Sequence, residues 1–403
     1  MKGMIYPLRD DLSIKQFQEN GEDLVLIYDP FNYSQYQVTL SIDFFVLISL
    51  IDKEIGYNEL PNKLNIDLNF VELFYNEYEK LDDLYFLDSP KYNDYRLKLD
   101  ADFLSNNIRN SVLSGKCFPE NENEFKEYMH NLFSLTPSNK IKGGAFSSII
   151  PHLDLLTGND TKKLYASSFH SLRDNDFDLL VIFGTAHYRA SHRFMLSEKN
   201  FSSPLGISEI DLELMNEIKK ISPTSFTVDE YAHRYEHSIE IQTALSSYYF
   251  EGKKYKILPI LTSGYFDFID NNTNPDNDST ILSFVTSLQQ AILNLGRKAI
   301  FIASVDFSHF GEKFADDFDA ISKLDEANQY DLSLIQSINN NDYNDFFSKI
   351  NDIDDLWKIC GTASIFTLMK YQGSKTAEFL GYNMWYEKTS KSAVSCASIS
   401  FYN

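Results

Sequence analysis

Residues 177–183 read FDLLVIF, and Gly184-Thr185-Ala186-His187 follows directly. A near-continuous apolar run of this length is the pattern of a strand covered on both faces, which belongs to a parallel sheet flanked by helices. Residues 255–261 (YKILPIL) and 298–304 (KAIFIAS) have the same character, and residues 145–155 (AFSSIIPHLDL) read as a further strand with its exit loop. Helical stretches stand between them at 161–173, 208–221 and 281–294. Strands alternating with helices predict an α/β domain with a central, mostly parallel or mixed sheet. It is expected to span residues 106–403, with a polar surface loop at 267–279 and a solvated helical or loop insertion at 339–355.

The first hundred residues follow another pattern. Short strand-like pieces at 24–28 (LVLIY) and 36–40 (YQVTL) precede helical stretches at 43–55 and 69–80. This predicts a small α+β domain over residues 1–105. It contains no His and no Cys, so metal or thiol chemistry is not expected there. The boundary is expected in the polar segment 92–102, next to the turn-forming residues SPKYND.

Composition narrows the classes of function. The 36 Lys+Arg against 58 Asp+Glu leave a net charge of −22 over 403 residues, which disfavours nucleic acid and anionic membrane as partners. Only 16 glycines are present, and neither a P-loop, a G-x-G-x-x-G fingerprint nor a G-x-S-x-G elbow occurs. Three scattered cysteines, Cys117, Cys360 and Cys396, do not make a disulfide framework, and no apolar run has transmembrane length. A cytoplasmic, reducing location is expected. Cys360 in ICGTAS reads as a buried structural cysteine in preference to a reactive thiol.

The eight histidines are distributed unevenly. His152, His187 and His309 each follow an expected strand, and His237 opens the helical stretch HSIEIQTALSSYYF. Ligands of open α/β sheets bind outside the carboxyl ends of the strands, so these four are expected at one edge. Asp154, Glu236 and Asp306 lie within three positions of them and can hold one ring nitrogen while the other meets a metal. Such a set suits Fe(II), Zn(II) or Cu(II). His130 and His170 read as ordinary helix residues, and His192 as a surface histidine. His233-Arg234-Tyr235-Glu236-His237 also fits the H-x-x-E-H pattern of zinc peptidases, which would leave His152 and His187 without a role.

In chain order, Pro151-His152-Leu153-Asp154-Leu155, Gly184-Thr185-Ala186-His187, Ser203-Pro204-Leu205-Gly206, Ala232 to Glu240 (AHRYEHSIE), Leu258-Pro259-Ile260-Leu261 and Ser304 to Gly311 (SVDFSHFG) resemble the motifs of the Memo family. The closer resemblance is to its long bacterial form, the AmmeMemoRadiSam system protein B. Residues 109–118 resemble the family's start, and Cys360-Gly361 with residues 393–401 its end. The resemblance implies a fold similar to the class III extradiol dioxygenases, which use non-haem Fe(II), preceded by a winged-helix, peptide-binding-like domain. It implies metal-site histidines at His152, His187 and His237. Ser308 is a poor ligand for a soft metal, which leaves Asp306 or His309 as additional ligands. The function it implies is that of a metal-binding protein, with a redox or oxygenase-like enzyme as the expected activity. The expected cofactor is a divalent metal, Fe(II) ahead of Cu or Zn, with His233 or His309 as acid/base. AMMECR-type and radical SAM proteins are implied partners, and the substrate, a small molecule or peptide, is not named. The alternatives are a peptide-binding scaffold with a vestigial pocket and the zinc peptidase.

Overall fold

In the computed structural model, which describes residues 3–403 except Asn20 and Asn32, the chain separates into two units, Met1–Asn106 and Asn107–Asn403. In the first, strands β1 (Ser13–Glu19), β2 (Glu22–Tyr28) and β3 (Gln37–Ser41) form an antiparallel sheet in that order, followed by helices α1 (Ile42–Ser49), α2 (Leu68–Asp83) and α3 (Pro90–Ser105). Val25 and Ile27 alternate inward from β2 and are buried with Ile48 of α1 and Val71, Phe74 and Tyr78 of α2. The helix expected over 43–55 is shorter. It stops at Ser49, and Ile55–Gly56 pairs as a strand with Met4–Ile5, so Ile51 and Ile55 reach the core from an extended segment. The expected polar boundary at 92–102 lies inside α3. Ser89 and Pro90 act there as a helix start and not a turn. The Ser89 hydroxyl accepts the Tyr92 N–H, and Pro90 occupies a first-turn position where its missing N–H goes unused.

The second unit contains a nine-stranded mixed sheet flanked by helices. Its elements are β4 (Ser147–Ile150), α4 (Asn159–Leu172), β5 (Leu179–Thr185), β6 (Phe194–Leu196), β7 (Thr227–Val228), α5 (Glu230–Arg234), α6 (His237–Tyr249), β8 (Lys256–Thr262), α7 (Ser279–Leu295), β9 (Ala299–Ser304), β10 (His309–Gly311), α8 (Leu324–Asn339), α9 (Tyr343–Asn351), α10 (Thr362–Gln372), β11 (Thr376–Glu387) and β12 (Ser392–Tyr402). The strand order is β7-β6-β8-β5-β9-β4-β12-β10, with β11 paired to β12. The four central strands β8, β5, β9 and β4 are mutually parallel, and β12 joins them antiparallel. Every residue of β4 and β5 is buried, as the apolar runs require. Serines of β4 and β12 tolerate burial because their hydroxyls are paired, with one another or with α4. Ser400 Oγ meets Ser148 Oγ at 2.9 Å and Ser171 Oγ at 2.6 Å.

Register brings the strand exits level. Ser304 lies opposite both Gly184 and Ile150, and Thr262 lies opposite Thr185. The chain segments leaving β4, β5 and β9 therefore emerge side by side. Two other expectations are corrected. The surface loop at 267–279 lies largely within short helices and buries Phe268, Ile269 and Pro275. The insertion at 339–355 contains α9, whose Phe346, Phe347 and Ile350 fall on one face and are buried. No helix among the described residues is long and apolar enough to cross a membrane.

At Gly184 the amino end of α6 packs directly on β5. A Cβ added there would come within 2.6 Å of Ser238 Oγ and 2.8 Å of Ile239 Cδ1. Gly184→Ala is expected to lower stability by about 1–3 kcal/mol through overpacking, read from urea unfolding. An unchanged midpoint would show that α6 does not depend on this approach.

Candidate metal centre

Three strand exits and one helix start supply the site. His152 lies two residues beyond β4, His187 two beyond β5 and Asp306 two beyond β9, while His237 is the first residue of α6. Their rings converge. The centroid of His152 is 5.0 Å from that of His187 and 5.1 Å from that of His237, and the His187 and His237 rings stack at 4.8 Å. Cys360, just before α10, joins them, with Sγ 3.5 Å from His152 Nε2. Candidate ligand atoms of His152, His187 and Cys360 all lie within 4.8 Å of one another, as do those of His187, Glu236 and His237. The His152 side chain is buried and Cys360 half-buried, whereas the His187 and His237 side chains are 27% and 31% exposed, so the cluster faces solvent past these two rings.

Each ring is oriented through Nδ1. His152 Nδ1 lies 2.9 Å from the Ser304 carbonyl oxygen. A carbonyl only accepts, so Nδ1 carries the proton and Nε2 keeps its lone pair. Glu236 does the same for His187, with Oε1 3.0 Å from its Nδ1, and the same oxygen lies 3.3 Å from His237 Nδ1 as a charge contact. Its second oxygen accepts the His187 backbone N–H at 2.8 Å, and Oε1 also caps α6 through the Ser238 N–H at 2.9 Å. Gln242 Nε2 donates to the Pro151 carbonyl at 2.7 Å and to Ser304 Oγ at 2.9 Å, which ties together the exits of β4 and β9. Cys360 is placed by Thr185 Oγ1, which donates to its carbonyl at 2.9 Å, and by the Asp306 N–H, 3.3 Å from Sγ. Gly361 makes this approach possible, since a Cβ there would lie 2.8 Å from Val305 Cβ.

The two buried acids of the site behave oppositely. Burial alone would raise the pKa of Glu236, but His187 and His237 outweigh it and hold this carboxylate well below the usual range. Asp306 accepts the His152 and Leu153 N–H groups on Oδ1, and its Oδ2 lies 3.4 Å from His152 Nε2. Burial pushes its carboxyl up to about 7, against the opposing pull of those two N–H groups and of His187. Burial, then the neighbouring histidines, pushes His152 down. Burial also opposes a charge on His187, yet Glu236 raises it overall. The Cys360 thiol is pushed up by burial and by Asp306.

The structure therefore gathers His152, His187, His237 and Asp306, and it sets His233 and His309 apart from their contacts. His233 is buried with Nε2 2.9 Å from the Met195 carbonyl oxygen. It belongs to α5, which ends at Arg234, and the chain turns extended at Glu236 before α6 begins. The H-x-x-E-H pattern thus crosses a helix break and does not place His233 and His237 on one helical face. His309 Nδ1 meets the Phe307 carbonyl at 2.9 Å, and its ring stands edge-on to Phe314. Ser308 turns away, donating to Asp331 at 2.6 Å. Asp154 does not reach His152; it caps the turn at Leu156 and accepts from Cys117 Sγ. His170 is buried in hydrogen bonds to Tyr249 and to the Phe133 and Thr136 carbonyls. Cys360 is the site residue that sequence reasoning missed, since a lone cysteine ahead of a helix carries no spacing signal. Three imidazole Nε2 lone pairs, a thiol and a carboxylate oxygen form a donor set that fits Fe(II), Zn(II) or Cu(II).

His233 also carries a pH prediction. Burial lowers its pKa to about 4, so between about pH 6.5 and 4 the unfolded chain takes up a proton that the folded chain refuses. Stability falls with pH through that window, by about 2 kcal/mol between pH 7 and pH 5 from this residue. Urea unfolding of His233→Gln at both pH values is expected to show a loss smaller by that amount than in the parent chain. Equal losses would contradict it.

The sequence profile of the Memo-like protein family matches residues 109–400. A MEMO1 family protein of Aquifex aeolicus is 26% identical over 396 residues, covering 94% of this chain and 96% of its own. MEMO1 family proteins of Pyrococcus abyssi and Thermococcus kodakarensis are 29% and 28% identical, covering 72% and 73% of this chain and 98% and 99% of their own. The matched region contains every residue of the histidine cluster, and the chain belongs to the Memo-like protein family.

Proposed function

We propose that this chain is a metal-dependent protein, an enzyme of redox or oxygenase-like chemistry, with the metal carried on Nε2 of His152, His187 and His237. One observation carries the reading: three imidazole rings converge outside the carboxyl ends of parallel strands, and those of His152 and His187 have Nδ1 hydrogen-bonded to an oxygen acceptor, which leaves Nε2 for a ligand. Cys360 Sγ and Asp306 Oδ2 are the further donors within reach of His152. This mixed set favours Fe(II), with Cu and Zn accepted by the same donors. A divalent ion there supplies a Lewis-acid or redox centre able to polarise a bound substrate group.

The chain's own residues do the rest. Ser304 fixes the tautomer of His152 and Glu236 that of His187, and Asp306 Oδ1 holds the backbone at His152 and Leu153. The exposed edge at His187 and His237 admits the substrate. In this reading the large unit is similar to the class III extradiol dioxygenases, the first unit is a winged-helix-like, peptide-binding module, and AMMECR-type and radical SAM proteins are the partners. His309 is the acid/base candidate on the exit of β9; the contacts of His233 suit a structural role.

The test is metal analysis of chain purified without chelators. The parent chain is expected to hold Fe, Cu or Zn in stoichiometric amount, and His152→Ala/His187→Ala to hold almost none. Cys360→Ser is expected to bind more weakly. Equal metal content in parent and double variant would refute the site, and a metal-free parent would favour a peptide-binding scaffold.

A further inference from the structure

Arg109 lies fully buried outside the histidine cluster, and its guanidinium bridges the break between α5 and α6. Nε donates to the His233 carbonyl at 2.6 Å and Nη2 to the Glu236 carbonyl at 2.8 Å. Nη1 is 2.5 Å from Glu240 Oε2, one turn into α6, and Phe201 stacks on the group at 5.0 Å. Glu240 is equally buried, and its carboxylate also accepts the Val112 and Leu113 N–H groups at 2.9 Å and the Ser111 hydroxyl. One planar cation thus grips the end of one helix, the cap residue of the next and a carboxylate within it.

That cap residue is Glu236, whose Oε1 is hydrogen-bonded to His187 Nδ1 and lies 3.3 Å from His237 Nδ1. We propose that Arg109, paired with Glu240, is a positioning residue that sets the backbone at Glu236 so that its carboxylate fixes both rings. The inference rests on the metal reading above. A point-like ammonium cannot span three acceptors in a plane as a guanidinium does, so Arg109→Lys keeps the charge and loses the geometry.

The experiment titrates the full chain with Co(II), followed by its visible d–d absorption, with thermal unfolding measured on the same samples. Arg109→Lys and Glu240→Gln are each expected to weaken Co(II) binding about 10–100-fold and to shift the absorption band, the range typical of groups that orient metal ligands. Leu214→Ala, a buried truncation in the helix Leu212–Ile221, is the control for lost stability and is expected to leave both unchanged. In a Glu236→Gln background, where the grip on the rings is already gone, Arg109→Lys is expected to add roughly threefold or less. If Arg109→Lys fails to fold, Glu240→Gln carries the comparison. Parent-like affinity and band in these variants, or losses matched by Leu214→Ala, would overturn the proposal. A parent chain that binds no Co(II) would instead overturn the metal reading.

Discussion

The register of the central parallel strands governs everything at the site. Because Ser304 stands level with Gly184 and Ile150, the residues two steps beyond each strand arrive together, and those residues are Asp306, His152 and His187. A slip of one residue in any of the three would move its donor along the strand by about 3.3 Å and turn it to the other face. Full burial of β4 and β5 on both sides makes such a slip costly. The close approach of α6 over Gly184 then fixes where His237 enters.

Electrostatics follows from that placement. A chain with a large acidic excess brings few acids to its histidine cluster, and the two buried there differ by partner. Glu236 sits between two imidazoles, which hold its carboxylate low, whereas burial outweighs two backbone N–H groups and the more distant His187 at Asp306 and raises it. Both shifts depend on exclusion of water at His152 and Glu236, while His187 and His237 stay partly exposed.

Much of this was legible in the residues. Apolar runs at 177–183, 255–261 and 298–304 mark strands because covering both faces leaves no polar alternation, and their carboxyl ends must share an edge. The exits of the strands before His152 and His187 could therefore be placed near one another from the residues alone, whereas His309, expected with them, turns to the Phe307 carbonyl instead. What was not legible depends on contacts distant in sequence. Cys360 reaches the site only because Gly361 lets its segment pack on Val305. Ser308, inside the same motif as Asp306, points to Asp331 on α8. The H-x-x-E-H spacing reads as one helix, yet Glu236 caps α6 and breaks it, an uncommon use of glutamate that no periodicity reveals. Ser89-Pro90 reads equally as a turn or a helix start, and the structure chose the latter.

Relatives that match about 72% of this chain, and nearly all of their own length, correspond in size to the second unit. The histidine cluster lies entirely within that unit. In the proposed site, imidazole Nε2 atoms of this unit and the Cys360 sulfur bind one divalent ion. X-ray absorption at the Zn edge of Zn(II)-loaded chain is the decisive measurement. Imidazole scattering with nitrogen near about 2.0–2.1 Å and a sulfur shell near about 2.3 Å is expected, with the sulfur shell lost in Cys360→Ser. An oxygen-only shell without imidazole scattering would contradict it.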